Sequence, residues 1–400
     1  MDLIKVLPDT PQKEAVLHRA RRLTDFTWTP VGDVPAYIRN VGNIVLPAGE
    51  ALTGFPYSST ELNDNFFMEN VSVETFLSAI PNPYSKLYQP GTGAFNSCCY
   101  GIVCNGLVRY AMGIDYRIST FRWYTIDGMR CIAEKDQYSA NDLQLCDMLL
   151  RVHEKGKSNH IVLITGLWKD AQGNVVRIEV SEAKRPICVR RQFDVEAFFE
   201  TFPCYSLVRY DHLDSVPLPD EETDRLLENN PYTDAPKIGV DNGNKANYLE
   251  GETTVVSVNA ADKDVVQVVK DGVLIEEIPV VGKAVFPREF SVGYYVLSLK
   301  NEKAAVEFAV NKANISFTVQ NKTITVKADP CDPSAEIVYM DFRELGKDVS
   351  GLAKYEILTA EEKTSGIITR CVPENAENFK IYFKNKYGIW AHRMINMYIA

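Results

Sequence analysis

Four hundred residues exceed one ordinary hydrophobic core, so the chain is expected to fold as two or three domains. Its 46% hydrophobic and 24% charged residues exclude a fibrous or disordered chain. A formal charge of −10 gives no electrostatic reason to hold nucleic acid or an anionic membrane surface, and no apolar run reaches spanning length. The opening Met1-Asp2-Leu3-Ile4-Lys5 lacks a basic stretch followed by an apolar one, which favours the cytoplasm, or the cell envelope if a leader has been removed. The nine cysteines include no Cys-x-x-Cys pair, and there is no His-x-x-x-His, so neither a disulfide framework nor a structural zinc site is expected.

In chain order, residues 11–23 carry a helical pattern. Residues 27–90 are rich in Pro, Gly and Asn, with a short helix over 73–80. From Cys104 to Gly113 the apolar period is again helical, with Gly113 as the stop signal. Cys104 falls in the first turn, where unpaired N–H groups and the positive dipole end favour a thiolate. Strands follow. Apolar runs at 147–153 and 160–165 flank a polar, Gly-containing turn, and 175–182 alternates. Asp194 caps a helix over 195–202, and 205–210 is one more strand. Residues 1–212 therefore read as an α+β domain. Residues 213–245 are acidic and Pro/Asn-rich, a linker. Beyond it, short strands are expected at 253–258, 265–269, 273–278, 294–299, 304–310, 315–319, 323–327, 379–383 and 390–398. Lys270-Asp271-Gly272 is a hairpin turn. Two immunoglobulin-like sandwiches, over 246–312 and 313–400, fit this spacing.

A nucleophilic cysteine needs a base and a group that orients it. Of the five histidines, His18 lies in the first helix, His212 near the linker and His392 in the last domain. His160 opens a buried-looking strand, and Glu182 ends the next one; Glu179 is the alternate carboxylate. Cys98 and Cys99 rival Cys104 if the helix begins earlier. A cysteine on a helix followed by His and a carboxylate on neighbouring strands is the order of papain-type enzymes.

These residues carry a resemblance. Cys104-Asn105-Gly106-Leu107-Val108 resembles the Cys-Ser-Gly-Leu-Val core of the NlpC/P60 cysteine peptidases. Cys146-Asp147-Met148-Leu149-Leu150 is similar to their Gly-Asp strand, and His160-Ile161-Val162-Leu163-Ile164 to their histidine strand. Ser181-Glu182 resembles the Ser-Glu ending of the related CHAP amidases. Gly54-Phe55-Pro56-Tyr57 is similar to the segment that places a tyrosine, here Tyr57, at the substrate site. The chain departs from the pattern at Val103, Asn105 and Ser58-Ser59-Thr60, and 46 positions separate Tyr57 from Cys104.

The resemblance implies an α+β papain-like domain ahead of the two all-β immunoglobulin-like sandwiches. It also implies hydrolysis of a γ-D-glutamyl amide bond in peptidoglycan peptides, with no metal or organic cofactor. Cys104 attacks, His160 protonates the leaving amine, Glu182 orients His160, and Tyr57 contacts a muropeptide substrate. The β domains would meet protein or glycan. Two other readings stay open: a catalytically inactive papain-like scaffold on adhesive β modules, and an acyltransferase using the same triad.

Overall fold

The computed structural model describes residues 3–38, 40–58, 72–91, 98–114, 120–152, 154, 158–343, 354–374, 376–393 and 395–397. Ser59-Thr60 lie outside them, as do His153 and residues 155–157 of the polar turn between the 147–153 and 160–165 runs. Among the described residues strand makes up 46% and helix 19%, so they are mostly β.

After β1 (Ile4–Lys5), helix α1 (Pro11–Thr24) starts at Thr10, whose hydroxyl accepts the Lys13 N–H at 3.2 Å. Pro11 stands in the first turn, where its missing N–H costs nothing. Short pieces follow: β2 (Thr27–Trp28), β3 (Val34–Ile38), β4 (Gly42–Leu46), β5 (Leu52–Thr53) and helix α2 (Val73–Ala79). Helix α3 (Cys104–Met112) ends at Gly113, whose φ of 65° lets its N–H reach the Arg109 and Tyr110 carbonyls. The chain continues through β6 (Met129–Ala133), β7 (Met148–Arg151), β8 (His160–Lys169), β9 (Val175–Ala183) and β10 (Cys188–Asp194). Helix α4 (Val195–Thr201) and β11 (Ser206–Tyr210) complete this part.

The strands form one antiparallel sheet in the order β10-β9-β8-β7-β11-β6, with β1 paired to the end of β8. Ile161, Val162, Leu163 and Ile164 are all buried, so both faces of β8 are covered. Helix α3 packs on β8 and β9, and α1 packs on α3 and β10. This places the first turn of α3 beside the first residue of β8.

The expected linker over 213–245 is corrected. Asp220 caps helix α5 (Glu221–Glu228) by accepting the Thr223 N–H at 2.7 Å. Asp224 accepts hydrogen bonds from Arg22 and pairs with His18 of α1, both at 2.7 Å. Leu226, Leu227 and Tyr232 pack on the first core, so this unit extends past residue 212. The acidic composition that reads as solvated chain is the charged face of a helix docked on basic α1.

The second unit contains β12 (Ile238–Val240), β13 (Ala246–Leu249), β14 (Thr253–Lys270), β15 (Val273–Glu289), β16 (Gly293–Leu299) and β17 (Ala305–Asn311). Their order is β12-β14-β16-β17-β13, with β15 on β14. The strands expected at 253–258 and 265–269 are one strand, its register shifted between Asn259 and Lys263. Strand β15 continues past 278 through Pro279 and Pro287 because it pairs only with β14, and an edge strand tolerates proline. Asp271 (φ 48°) and Gly272 (φ 81°) form the expected hairpin turn, both in the left-handed region such a turn requires.

The third unit runs through β18 (Ala313–Gln320), β19 (Thr323–Pro330), β20 (Glu336–Arg343), β21 (Lys354–Ile357), helix α6 (Ala360–Ser365) and β22 (Ile367–Cys371). It ends with β23 (Asn378–Asn385), β24 (Gly388–Ala391) and β25 (Ile395–Asn396). The sheet β18-β19-β22 supplies Ile324, Val326 and Ile368 to a core shared with Met340, Phe342, Ile381 and Trp390 of the sheet β21-β20-β23-β24. That is a two-sheet sandwich. The strand expected over 390–398 is split into β24 and β25, each paired separately to β23.

Candidate active site

Cys104 is the first residue of α3, and the residue is buried, 6% exposed. Val103 precedes it without a side-chain cap, so the first-turn N–H groups stay directed at whatever sits beside the helix mouth. His160 opens β8 opposite Arg151 of β7, and Glu182 lies on the adjacent β9. The His160 Nε2 is 2.8 Å from Glu182 Oε2. The Cys104 thiol lies close enough to the same imidazole for the two groups to interact. Cys104, His160 and Glu182 are thus brought together in one place.

Burial alone would push the Cys104 thiol up. The His160 hydrogen bond and charge overcome it, helped by Thr120 Oγ1 at 3.7 Å and the Ile161 N–H, and bring the thiol below the ordinary cysteine value. Burial opposes charge on His160 too, but its bonds to Cys104 and Glu182 raise the imidazole to about 9. Burial raises the Glu182 carboxyl, and His160 and Arg191 outweigh it and hold the group below the usual carboxylate range. These directions favour a thiolate–imidazolium pair backed by a carboxylate.

A titration of His160 by NMR is expected to show the ring holding its proton to about pH 9, with Glu182→Gln lowering the midpoint. Because the folded value lies above the ordinary one, this interaction stabilises the fold fully below the ordinary histidine value and is lost as pH rises through about 9. A midpoint at the ordinary value in the intact protein would contradict the pairing.

The rivals lie elsewhere. Burial raises the Cys98 thiol, which donates to the Tyr100 carbonyl at 2.8 Å, and pushes Cys99 up to about 12. Glu179 meets Thr165, Arg190 and Gln192 instead of His160. His18 is bound to Asp224, His212 faces Asp127, and His392 meets the Arg393 carbonyl.

Tyr57 is at the site. Its N–H donates to the Pro186 carbonyl at 2.8 Å, and it bridges to Ile102, two residues before Cys104. Burial, and next the adjacent Cys104 charge, raise its hydroxyl above the ordinary tyrosine value, so it stays a donor.

Sequence reasoning missed Thr120, Arg185, Arg191 and Tyr205. Arg191 pairs with Glu182 and lies over the rings of Phe193 and Phe202. Glu182 faces Val189 across β9 and β10, so Arg191 is its diagonal neighbour; alternation in the 188–194 strand is the signal that could have found it. Tyr205 sets its ring edgewise against His160 at 6.4 Å. Among the described residues no cluster of three His, Cys, Asp or Glu could hold a metal. No described helix is long and apolar enough to cross a membrane.

No protein-family model matches the chain, and no curated protein does. Among solved structures, it is similar to native alpha-2-macroglobulin from Escherichia coli spanning domains NIE-MG1, at 9% identity over 40% of this chain and 97% of that one, TM-score 0.18. It is also similar to the CD2-binding domain of CD58, at 10% identity over 36% and 92%, TM-score 0.18. A third likeness is to fibronectin(III)-like modules of Clostridium thermocellum CbhA, at 15% identity over 40% and 90%, TM-score 0.19. Likenesses this distant carry no argument about activity.

The expected membership of the NlpC/P60 and CHAP enzymes is corrected by these findings. No family model supports it, and the solved structures named above are immunoglobulin-like or fibronectin III-like all-β domains. The papain-like fold class falls with it, as do the peptidase and cell-wall assignments. The physical reason is the brevity of the motifs. A Cys-x-Gly-Leu-Val helix start and a His-Ile-Val-Leu-Ile strand are residue types that burial alone selects. What stands is a multidomain chain with β-sandwich modules.

Proposed function

We propose that the first unit is a thiol-dependent acyl-transfer enzyme that cleaves an amide bond through an acyl-enzyme on Cys104. The observation that carries this reading is His160 Nε2 at 2.8 Å from Glu182 Oε2, with Cys104 in the first turn of α3 within interaction range of the same imidazole. The thiolate attacks the acyl carbon, and the first-turn N–H groups of α3 face the oxyanion. His160 passes its proton to the leaving nitrogen, the carbon–nitrogen bond breaks, and a thioester remains. Water or an amine then adds, His160 takes its proton, and the thiolate departs. Glu182 keeps the ring oriented, and Arg191 holds Glu182 charged. The peptidoglycan substrate rested on the family resemblance and is not carried forward.

The β-sandwich half motivates a second reading, an adhesive scaffold without turnover. Thiol labelling separates the two. Near neutral pH Cys104 is expected to react with iodoacetamide at least about tenfold faster than the exposed Cys331 and Cys371, despite its burial. Slow, indiscriminate labelling of the nine thiols, read by peptide mass spectrometry, would favour the scaffold.

A further inference from the structure

Five neighbouring strands each carry one residue of the surroundings of His160. In the order β10-β9-β8-β7-β11 these are Arg191, Glu182, His160 itself, Arg151 and, immediately before β11, Tyr205. Arg151 faces His160 across β7 and β8, and Ser206 of β11 faces Leu150, so Tyr205 comes beside Arg151. The Arg151 guanidinium carbon lies 4.6 Å from the Tyr205 ring centre. Tyr205 also meets His160, with ring centres 6.4 Å apart and planes at 76°. Phe202 packs edgewise on Tyr205 at 5.6 Å, and the Arg191 guanidinium lies over Phe202 at 5.8 Å. The contacts close a loop from His160 through Glu182, Arg191, Phe202 and Tyr205 back to the imidazole.

The backbone that aims Tyr205 is strained and locked. Cys204 has φ 66° and Asp136 φ 57°, left-handed values that few residues other than glycine adopt. The Asp136 carboxylate accepts the Cys204 N–H at 2.8 and 3.0 Å, and the Asp136 N–H donates to the Tyr205 carbonyl at 3.2 Å. Asp136 is exposed, while the ring that it helps to place is buried. Strain of this kind gathers where a side chain must be held in one place. His160 has need of that. The second side-chain torsion of a histidine is broad, so one hydrogen bond at Nε2 leaves the plane of the ring adjustable.

We propose that Tyr205 is a positioning residue for His160, its ring, aimed by Asp136 and Cys204, holding the imidazole plane between Glu182 and Cys104; this rests on the acyl-transfer reading above. The ring does this work, and the hydroxyl does not. The charged and titratable groups around the imidazole are Cys104 of α3, Glu182 of β9 with Arg191 of β10 behind it, Arg151 of β7, and Tyr57 beside Cys104. Burial keeps the Tyr205 hydroxyl protonated, above its ordinary value. Replacing Tyr205 therefore removes no charge from this set, and a change in how His160 titrates reports its position.

The test compares Tyr205→Phe, Tyr205→Leu and Asp136→Ala in the full chain by two readouts. One is the NMR titration midpoint of His160, and the other is the pH profile of Cys104 alkylation by iodoacetamide. Tyr205→Phe is expected to keep both. Tyr205→Leu should lower the His160 midpoint by about one pH unit and slow alkylation near neutral pH about tenfold, through the smaller thiolate fraction. Asp136→Ala, a change at an exposed residue, should move both the same way, by at least about twofold in rate, and decides the matter where Tyr205→Leu does not fold. An unchanged midpoint and profile in folded Tyr205→Leu, or in Asp136→Ala where Leu does not fold, would overturn the positioning role alone, the acyl-enzyme still forming. Equal losses in Tyr205→Phe and Tyr205→Leu would overturn it too, by placing the effect on the hydroxyl. Failure of the unaltered protein to form an acyl-enzyme with any activated ester would overturn the acyl-transfer reading first, and this role with it.

Discussion

Cys104→Ala is expected to abolish acyl-enzyme formation, and His160→Ala to lower its rate by roughly a thousandfold or more, because nucleophile and base act as one unit. Release of p-nitrophenol from an activated ester, with the acyl group located by peptide mass spectrometry, reads the step directly. The unaltered protein should show a burst with the label on Cys104. Both variants should retain their far-ultraviolet circular dichroism. Alanine is a good helix former in the first turn of α3, and His160 sits at the end of a strand whose interior is unchanged. A burst of full size in Cys104→Ala would end the assignment.

Gly54→Ala tests the scaffold under the site. Gly54 has φ +98°, and an added Cβ would lie 2.0 Å from the Cys188 carbonyl oxygen. That carbonyl cannot retreat cheaply, because the Cys188 N–H is already bound to the Phe55 carbonyl at 2.7 Å. The Gly54 carbonyl also accepts the Trp28 indole N–H at 2.9 Å. Left-handed strain and the backbone clash together should cost roughly 3 kcal/mol or more. Gly173 supplies the control. It has a similar φ of +88° but nothing within 4 Å, so Gly173→Ala should cost about 1 kcal/mol. Denaturant midpoints of the first unit measure both. Equal losses would show that the approach to Cys188 is not what demands glycine at 54.

Much of the local structure was legible in the residues. Thr10 before Pro11, Asp194 before 195–201 and Gly113 after Met112 mark helix ends through their own side chains or backbone freedom. Asp271-Gly272 marks a hairpin for the same reason. These signals act over a few residues and need no knowledge of the rest of the chain. Breaker residues misled where pairing decides. Pro279 and Pro287 interrupt a pattern in sequence, yet they sit on an edge strand that can spare their N–H groups. The acids of 220–224 resemble solvated linker until Arg22 and His18 of α1 are seen to meet them.

The candidate site divides along the same line. Helix and strand periods alone determined that Cys104 stands in a helix's first turn, and that His160 and Glu182 stand near the ends of consecutive strands. Only the tertiary structure decided that α3 docks on β8 and β9, that Glu182 and not Glu179 meets the imidazole, and that Arg191 and Arg185 flank them. Periodicity is written in each segment's own covalent order. Which segments touch is decided by the burial of faces hundreds of residues long in sum, and short motifs carry too little of that sum to name a family.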